Sequence, residues 1–233
     1  RYLGYTNTPG YEKGKNKHNS LGYRGDEFPL KKPEGEFRIA CIGGSTTYTI
    51  AVEDYKQSYP YLLEKELRNA GYNNVRVINA GTGGWNTWES MINFTIRLLD
   101  TSPDLIIVYH AVNDIHARFV WPSEFYQPDG SGRRTAAGLF TPSLWEYSTL
   151  YRMVATKLKL MTPHNEIIRA LDAPPKAWIQ PKLTPQVDKQ GQTTLGEYDG
   201  VPVKDILKAN PPNYFKRNIE NMIAVAKHHH INC

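Results

Sequence analysis

Three short apolar runs, each ending in a cluster of small or polar residues, constrain the fold of this chain more than any other feature. Residues 38–42 lead into Gly43-Gly44-Ser45-Thr46-Thr47, and residues 75–79 into Ala80-Gly81-Thr82-Gly83-Gly84. Residues 105–109 lead into His110 and then Asn113-Asp114. Runs of this length and composition read as buried strands. Helical patterns lie between them. Ser58 is placed to cap one helix, with Pro60 in its first turn, Leu62, Leu63 and Leu67 on one face, and Gly71 at its stop. A polar loop is expected from Ser45 to Gln57. Thr87 is expected to cap a second helix through about Asp100, with Trp88, Met91, Ile92, Ile96 and Leu99 as its apolar face, before Pro103 breaks it. The third run is apolar almost throughout, so it should be covered on both faces, as in a parallel sheet. Strict strand–helix alternation predicts a doubly wound α/β domain, and such folds bind ligands at the carboxyl ends of their strands.

All three strand ends therefore fall where a site is expected. The first is ambiguous by itself. A serine at a strand-to-helix turn, among unpaired backbone N–H groups, suits either a nucleophile with an oxyanion transition state or a bound phosphate.

Composition narrows the class. A chain of 233 residues with 40% hydrophobic and 22% charged residues is ordinary for a globular protein. The formal net charge of +5 is mildly basic, and Lys13, Lys15, Lys17, Lys31 and Lys32 gather part of it near the start. A solvated lead-in explains those lysines more simply than a nucleic-acid arm, so no nucleic-acid partner is expected. Cys41 and Cys233 form no disulfide framework and no zinc-ligand spacing, and no metal or organic cofactor is implied. No apolar run approaches the roughly 18 residues of a membrane span. The chain starts at Arg1, which leaves room for a removed leader or anchor, so an extracytoplasmic location is favoured over a cytoplasmic one.

Residues 1–36 read as an irregular lead-in, with 18–25 as an ordered turn packed on the domain that follows, 37–233. Within that domain, residues 118–212 loosen into an insertion carrying one helical stretch near 144–160; a lid and a surface excursion are equally open readings. Residues 214–227 are helical, with Phe215, Ile219, Met222, Ile223 and Ala226 as the apolar face. His228-His229-His230 read as the helix end entering a fourth strand rather than as a metal site or a tag remnant.

Taken together, Gly43-Gly44-Ser45-Thr46-Thr47, Asn79-Ala80-Gly81-Thr82-Gly83-Gly84 and Asn113-Asp114 resemble the first three sequence blocks of the SGNH (GDSL-type) hydrolases. Asn19-Ser20-Leu21-Gly22-Tyr23-Arg24-Gly25 resembles the approach segment of bacterial members. The resemblance implies a flavodoxin-like three-layer α/β/α sandwich with a parallel sheet, and hydrolysis of a small-molecule or saccharide ester. It makes Ser45 the nucleophile and one oxyanion donor through its own N–H, Gly84 a second N–H donor, and the Asn113 side-chain amide the third.

Three departures stand out. Gly44 occupies a position where the family often has aspartate, and Ala111 one where it usually has glycine. The family's closing block, an aspartate with a histidine three residues later that supplies the general base, does not occur in these 233 residues. The expectation is that the sequence stops before that block, that its C-terminal part is missing, and that this chain alone is severely impaired. His110 and His116 flank the third strand end, where supporting or surface roles are expected of them. Three other readings compete. One is acyl transfer to a sugar hydroxyl on the same fold, with Trp85, Trp88, Trp121 and Tyr126 as stacking surfaces. Another is a non-catalytic binding module. The third, a nucleotide-binding domain, lacks GxGxxG and GxxxxGK[ST].

Overall fold

In the computed structural model the three apolar runs pair as one parallel sheet. The structure describes residues 3–130, 148–158, 160, 186–187, 193–194, 197–198 and 201–233. Strand β1 (Phe37–Gly43) lies in the middle, with β2 (Val75–Gly81) on one side and β3 (Leu105–Tyr109) on the other. The register sets Gly43 beside both Gly81 and Tyr109, so all three strands finish in one row.

Side-chain alternation on these strands fills two cores. Ala40, Ile42, Ile78, Ala80 and Ile106 face one way, against Phe94, Leu98, Met222 and Ala226. Ile39, Cys41, Val75 and Val77 face the other, against Leu63 and Leu67. Helices α3 (Thr87–Asn93) and α7 (Asn213–His228) thus share one layer, and α2 (Tyr59–Asn69) makes the other. This is a three-layer α/β/α arrangement. Cys41 is fully buried in β1, and burial pushes its thiol up to about 12.

The helices differ from the sequence reading in instructive ways. The polar stretch after β1 opens with a four-residue helix, α1 (Ser45–Tyr48), and later makes a 3-10 turn at Tyr55–Gln57. Ser58 precedes α2 without capping it, because its hydroxyl donates to Tyr55 O (2.6 Å) and closes that turn. Leu63 and Leu67 pack on the sheet, while Leu62, one residue out of phase, is exposed. The cap of α3 is Asn86 rather than Thr87. Its side chain accepts from Trp88 N, and Glu89 accepts from Asn86 N, a reciprocal capping box. A π-helical turn follows at Phe94–Leu98, and its extra residue rotates the buried face. Phe94 and Leu98 are therefore buried and Ile96 is exposed.

The chain divides into two compact units, Arg1–Asp114 with Pro212–Cys233, and Ile115–Pro211. In the first, α7 ends as expected at the histidines, and Asn232 then forms a parallel bridge with Leu105, at the amino end of β3. The lead-in also belongs to this unit. It makes a small hairpin (Glu12–Lys13 with Asn16–Lys17) and an antiparallel bridge from Arg24 to Asn79 of β2. Three of its lysines are paired, Lys15 with Asp54, Lys17 with Asp26 and Lys32 with Asp104.

In the second unit, helix α5 (Thr149–Lys157) falls within the expected helical stretch, of which residues 144–147 and 159 lie outside the described residues. Helix α6 (Val203–Ala209) is closed at its end by Arg118, which donates to Leu207 O and Asn210 O (both 2.7 Å). Asn210 Nδ2 donates in return to Arg118 O and Val120 O.

Candidate active site

The shared register delivers three turns to the carboxyl edge of the sheet. From β1 the chain passes through Gly44, at the cap position of α1, to Ser45 as the first helical residue. First-turn amides have no intrahelical acceptor. From β2 it turns at Thr82–Trp85, with Thr82 N donating to Gly43 O (3.1 Å) and Gly84 at a φ of +80°. That backbone conformation favours glycine, which has no Cβ to clash there. From β3 it enters α4 (Val112–Ala117), whose first turn carries Asn113.

Asn113 ties the second and third turns, because its Nδ2 donates to Trp85 O at 2.7 Å. The first turn is wedged against that bond. A Cβ on Gly44 would lie 2.6 Å from Asn113 Nδ2 and 2.9 Å from Trp85 O, so no side chain fits there. Ser45, Gly84 and Asn113 thus stand on adjoining turns held by direct contacts. The bond also fixes the Asn113 rotamer with nitrogen towards the site's backbone. An amide has two N–H groups, and Trp85 takes one of them. Ala111 is exposed, and the tight packing at this edge falls on Gly43, Gly44 and Gly81 instead.

Behind Asn113 runs a buried polar chain that the sequence did not suggest. Asp114 accepts from Thr87 N (3.0 Å) and from Thr87 Oγ1 (2.5 Å), and Thr87 Oγ1 accepts from Asn218 of α7 (3.0 Å). His110 Nε2 contacts Ser90 Oγ at 2.8 Å, and its Nδ1 lies 3.7 Å from Asp114. Burial pulls His110 down to about 4, so at neutral pH the ring is uncharged and that contact is polar rather than ionic. Burial raises Asp114, against the opposing pull of its Thr87 bonds.

The described histidines stand in four places. His110 bonds Ser90 through Nε2 and lies beside Asp114. His18 contacts Thr8 O through Nδ1 and the Tyr48 hydroxyl through Nε2, both at 2.9 Å. His116 packs beside Phe119. His228, His229 and His230 end α7 near the amino edge of β3, opposite the three turns.

Two further residues received no role from the sequence. Arg24 is 4% exposed and caps the loop after α1. Its guanidinium donates to the carbonyls of Tyr48, Thr49, Val52 and Glu53 and to Asn16 Oδ1. Tyr5 reaches the second turn, donating from its hydroxyl to Gly83 O. For Arg24 the lead-in motif was the available signal. For Tyr5 there was none. Trp85, offered above as a stacking surface, is 1% exposed and packs in the interior.

Comparison with known proteins identifies the family. The family model of the GDSL-like lipase/acylhydrolases matches residues 41–231, and the chain belongs to that family, the SGNH-type hydrolases. Comparison with curated proteins found no match. Among solved structures, a mutant of the esterase AlinE4 is 23% identical over 55% of this chain and 58% of its own, with a TM-score of 0.32. AlinE4 itself, described as an SGNH-hydrolase family esterase, is 22% identical over 83% of this chain and 98% of its own (TM-score 0.34). TesA is 16% identical over 82% and 99% (TM-score 0.33).

Proposed function

We propose that this chain carries the serine-ester-hydrolase machinery of its family, with Ser45 as nucleophile and the N–H groups of Ser45, Gly84 and Asn113 as the oxyanion hole. The observation that carries the reading is the wedge at Gly44, which draws the Ser45 turn against the Asn113–Trp85 bond. In this reaction Ser45 Oγ attacks the ester carbonyl carbon and loses its proton to a base, and the carbonyl oxygen takes up negative charge. The three N–H groups meet that charge. Collapse of the tetrahedral intermediate expels the alcohol and leaves an acyl-serine, which water then cleaves to acid and free Ser45. His18 is hydrogen-bonded through both ring nitrogens, and His110 is buried, bonded through Nε2 to Ser90 and faces Asp114 through Nδ1, so neither is assigned as the base.

The test is hydrolysis of p-nitrophenyl acetate by the full chain and two variants. Ser45→Ala is expected to abolish enzymic turnover. Asn113→Ala is expected to lower kcat by about 10²–10³, the usual cost of one oxyanion donor. Among the described residues no imidazole is assigned as the base, and an oxyanion hole acting without one retains only residual catalysis, so slow turnover is the expected result for the unaltered chain. Turnover that survives Ser45→Ala would sink the reading.

A further inference from the structure

The second of the three turns is held from outside by a segment 78 residues upstream. Tyr5 Oη donates to Gly83 O (2.7 Å), Asn7 Nδ2 donates to Gly81 O (3.0 Å), and the Trp85 indole N–H donates back to Tyr5 O (3.2 Å). The Tyr5 and Trp85 rings lie 6.4 Å apart. This strap grips the loop at its least constrained point. Gly83 C=O and Gly84 N–H form one planar peptide unit, and in a trans unit the carbonyl and the amide point in opposite directions. Flanked by two glycines, that unit turns more freely than any other in the loop. A hydroxyl that fixes the carbonyl therefore fixes the direction of the amide. The same hydroxyl closes the outer side of Gly84, where a Cβ would stand 2.5 Å from it.

We propose that Tyr5 is a positioning residue of the oxyanion hole, whose hydroxyl aims the Gly84 N–H by holding the Gly83 carbonyl. The inference rests on the assignment of Gly84 as an oxyanion donor. It places in the irregular lead-in a group on which the transition state depends and which ground-state substrate does not feel.

Two variants separate orientation from packing. Tyr5→Phe keeps the ring against Trp85 and removes only the hydroxyl, whereas Tyr5→Leu removes both. If the hydroxyl orients the amide, Tyr5→Phe lowers kcat about tenfold with KM within about twofold, a share of the loss expected for a whole donor. Tyr5→Leu then adds little. The Gly84 amide resonance in a ¹H–¹⁵N spectrum, which needs no turnover, shifts and broadens in Tyr5→Phe. An unmoved Gly84 resonance overturns the inference, and so does a Tyr5→Phe enzyme that keeps its kcat while Tyr5→Leu is impaired. If Ser45→Ala retains turnover while the Gly84 resonance still responds to Tyr5→Phe, the hydrolase reading fails and Tyr5 stands as the organiser of that peptide.

Discussion

An imidazole that burial keeps neutral makes stability depend on pH, and His110 is in that position. Its ring is held at about 4 by burial, well below its ordinary value of 6.5. Between those values the unfolded chain binds a proton that the folded chain refuses, so stability falls as pH drops through 6.5 towards 4. At pH 5 the loss from this residue amounts to roughly 2 kcal/mol. His18, also lowered by burial, acts in the same direction. Asp114 opposes them near the bottom of the range. Its raised pKa lets the folded state hold a proton that the unfolded state releases above 3.8. Thermal melts between pH 7 and pH 5 should show the decline, and His110→Gln, which can still meet Ser90, should flatten most of it. An unchanged slope in that variant would mean that the decline originates elsewhere. Gly44 shows a different economy. Here Asn113 and the Trp85 carbonyl pack so closely that a side chain would not fit without movement.

At the scale of elements, the helix bearing Ser45 depends on the lead-in. Four residues cannot form a stable helix alone, since nucleating one turn is itself unfavourable. Helix α1 persists because Arg24 collects the carbonyls of Tyr48, Thr49, Val52 and Glu53 and stacks over the Tyr48 ring. Arg24→Lys keeps the charge but cannot reach four carbonyls from one ammonium, and buried carbonyls left without donors are costly. A stability loss of about 2–4 kcal/mol is expected in urea unfolding, and a variant within about 0.5 kcal/mol of the parent would refute the role. The three strands were legible in the sequence because continuous apolar runs leave few alternatives. The three turns were legible because small residues gathered at each strand end. The buried face of α3 was not. Its 3.6-residue pattern pointed to Ile96, and a π-helical turn, which leaves no mark in hydrophobic periodicity, moved burial to Phe94 and Leu98. The lead-in was opaque for a similar reason. It is held by carbonyl acceptors and single polar side chains, and such contacts carry no period.

For the molecule as a whole, two buried arginines attach the lead-in to the sheet at opposite edges. Arg24 sits at the carboxyl edge, and Arg38 at the amino edge, where it donates to Pro29 O, Leu30 O and Thr101 O and lies over Phe28. The segment from Pro29 to Arg38 therefore closes on itself beside the first residues of β1. Between these two anchors lies Cys41, in the one strand of the sheet with a strand paired on each side. Its sulfur is inert while the sheet is closed, both because no reagent reaches it and because its proton is held tightly. Cys233 is exposed. A thiol reagent in native buffer should thus consume the equivalent from Cys233 at once, and the second only as fast as the sheet opens. Prompt reaction at Cys41 would show that β1 opens well short of unfolding. The slow reaction is a clock. It sits four residues before Ser45, needs no substrate and no added label site, and times the opening of the strand from which the proposed nucleophile is presented.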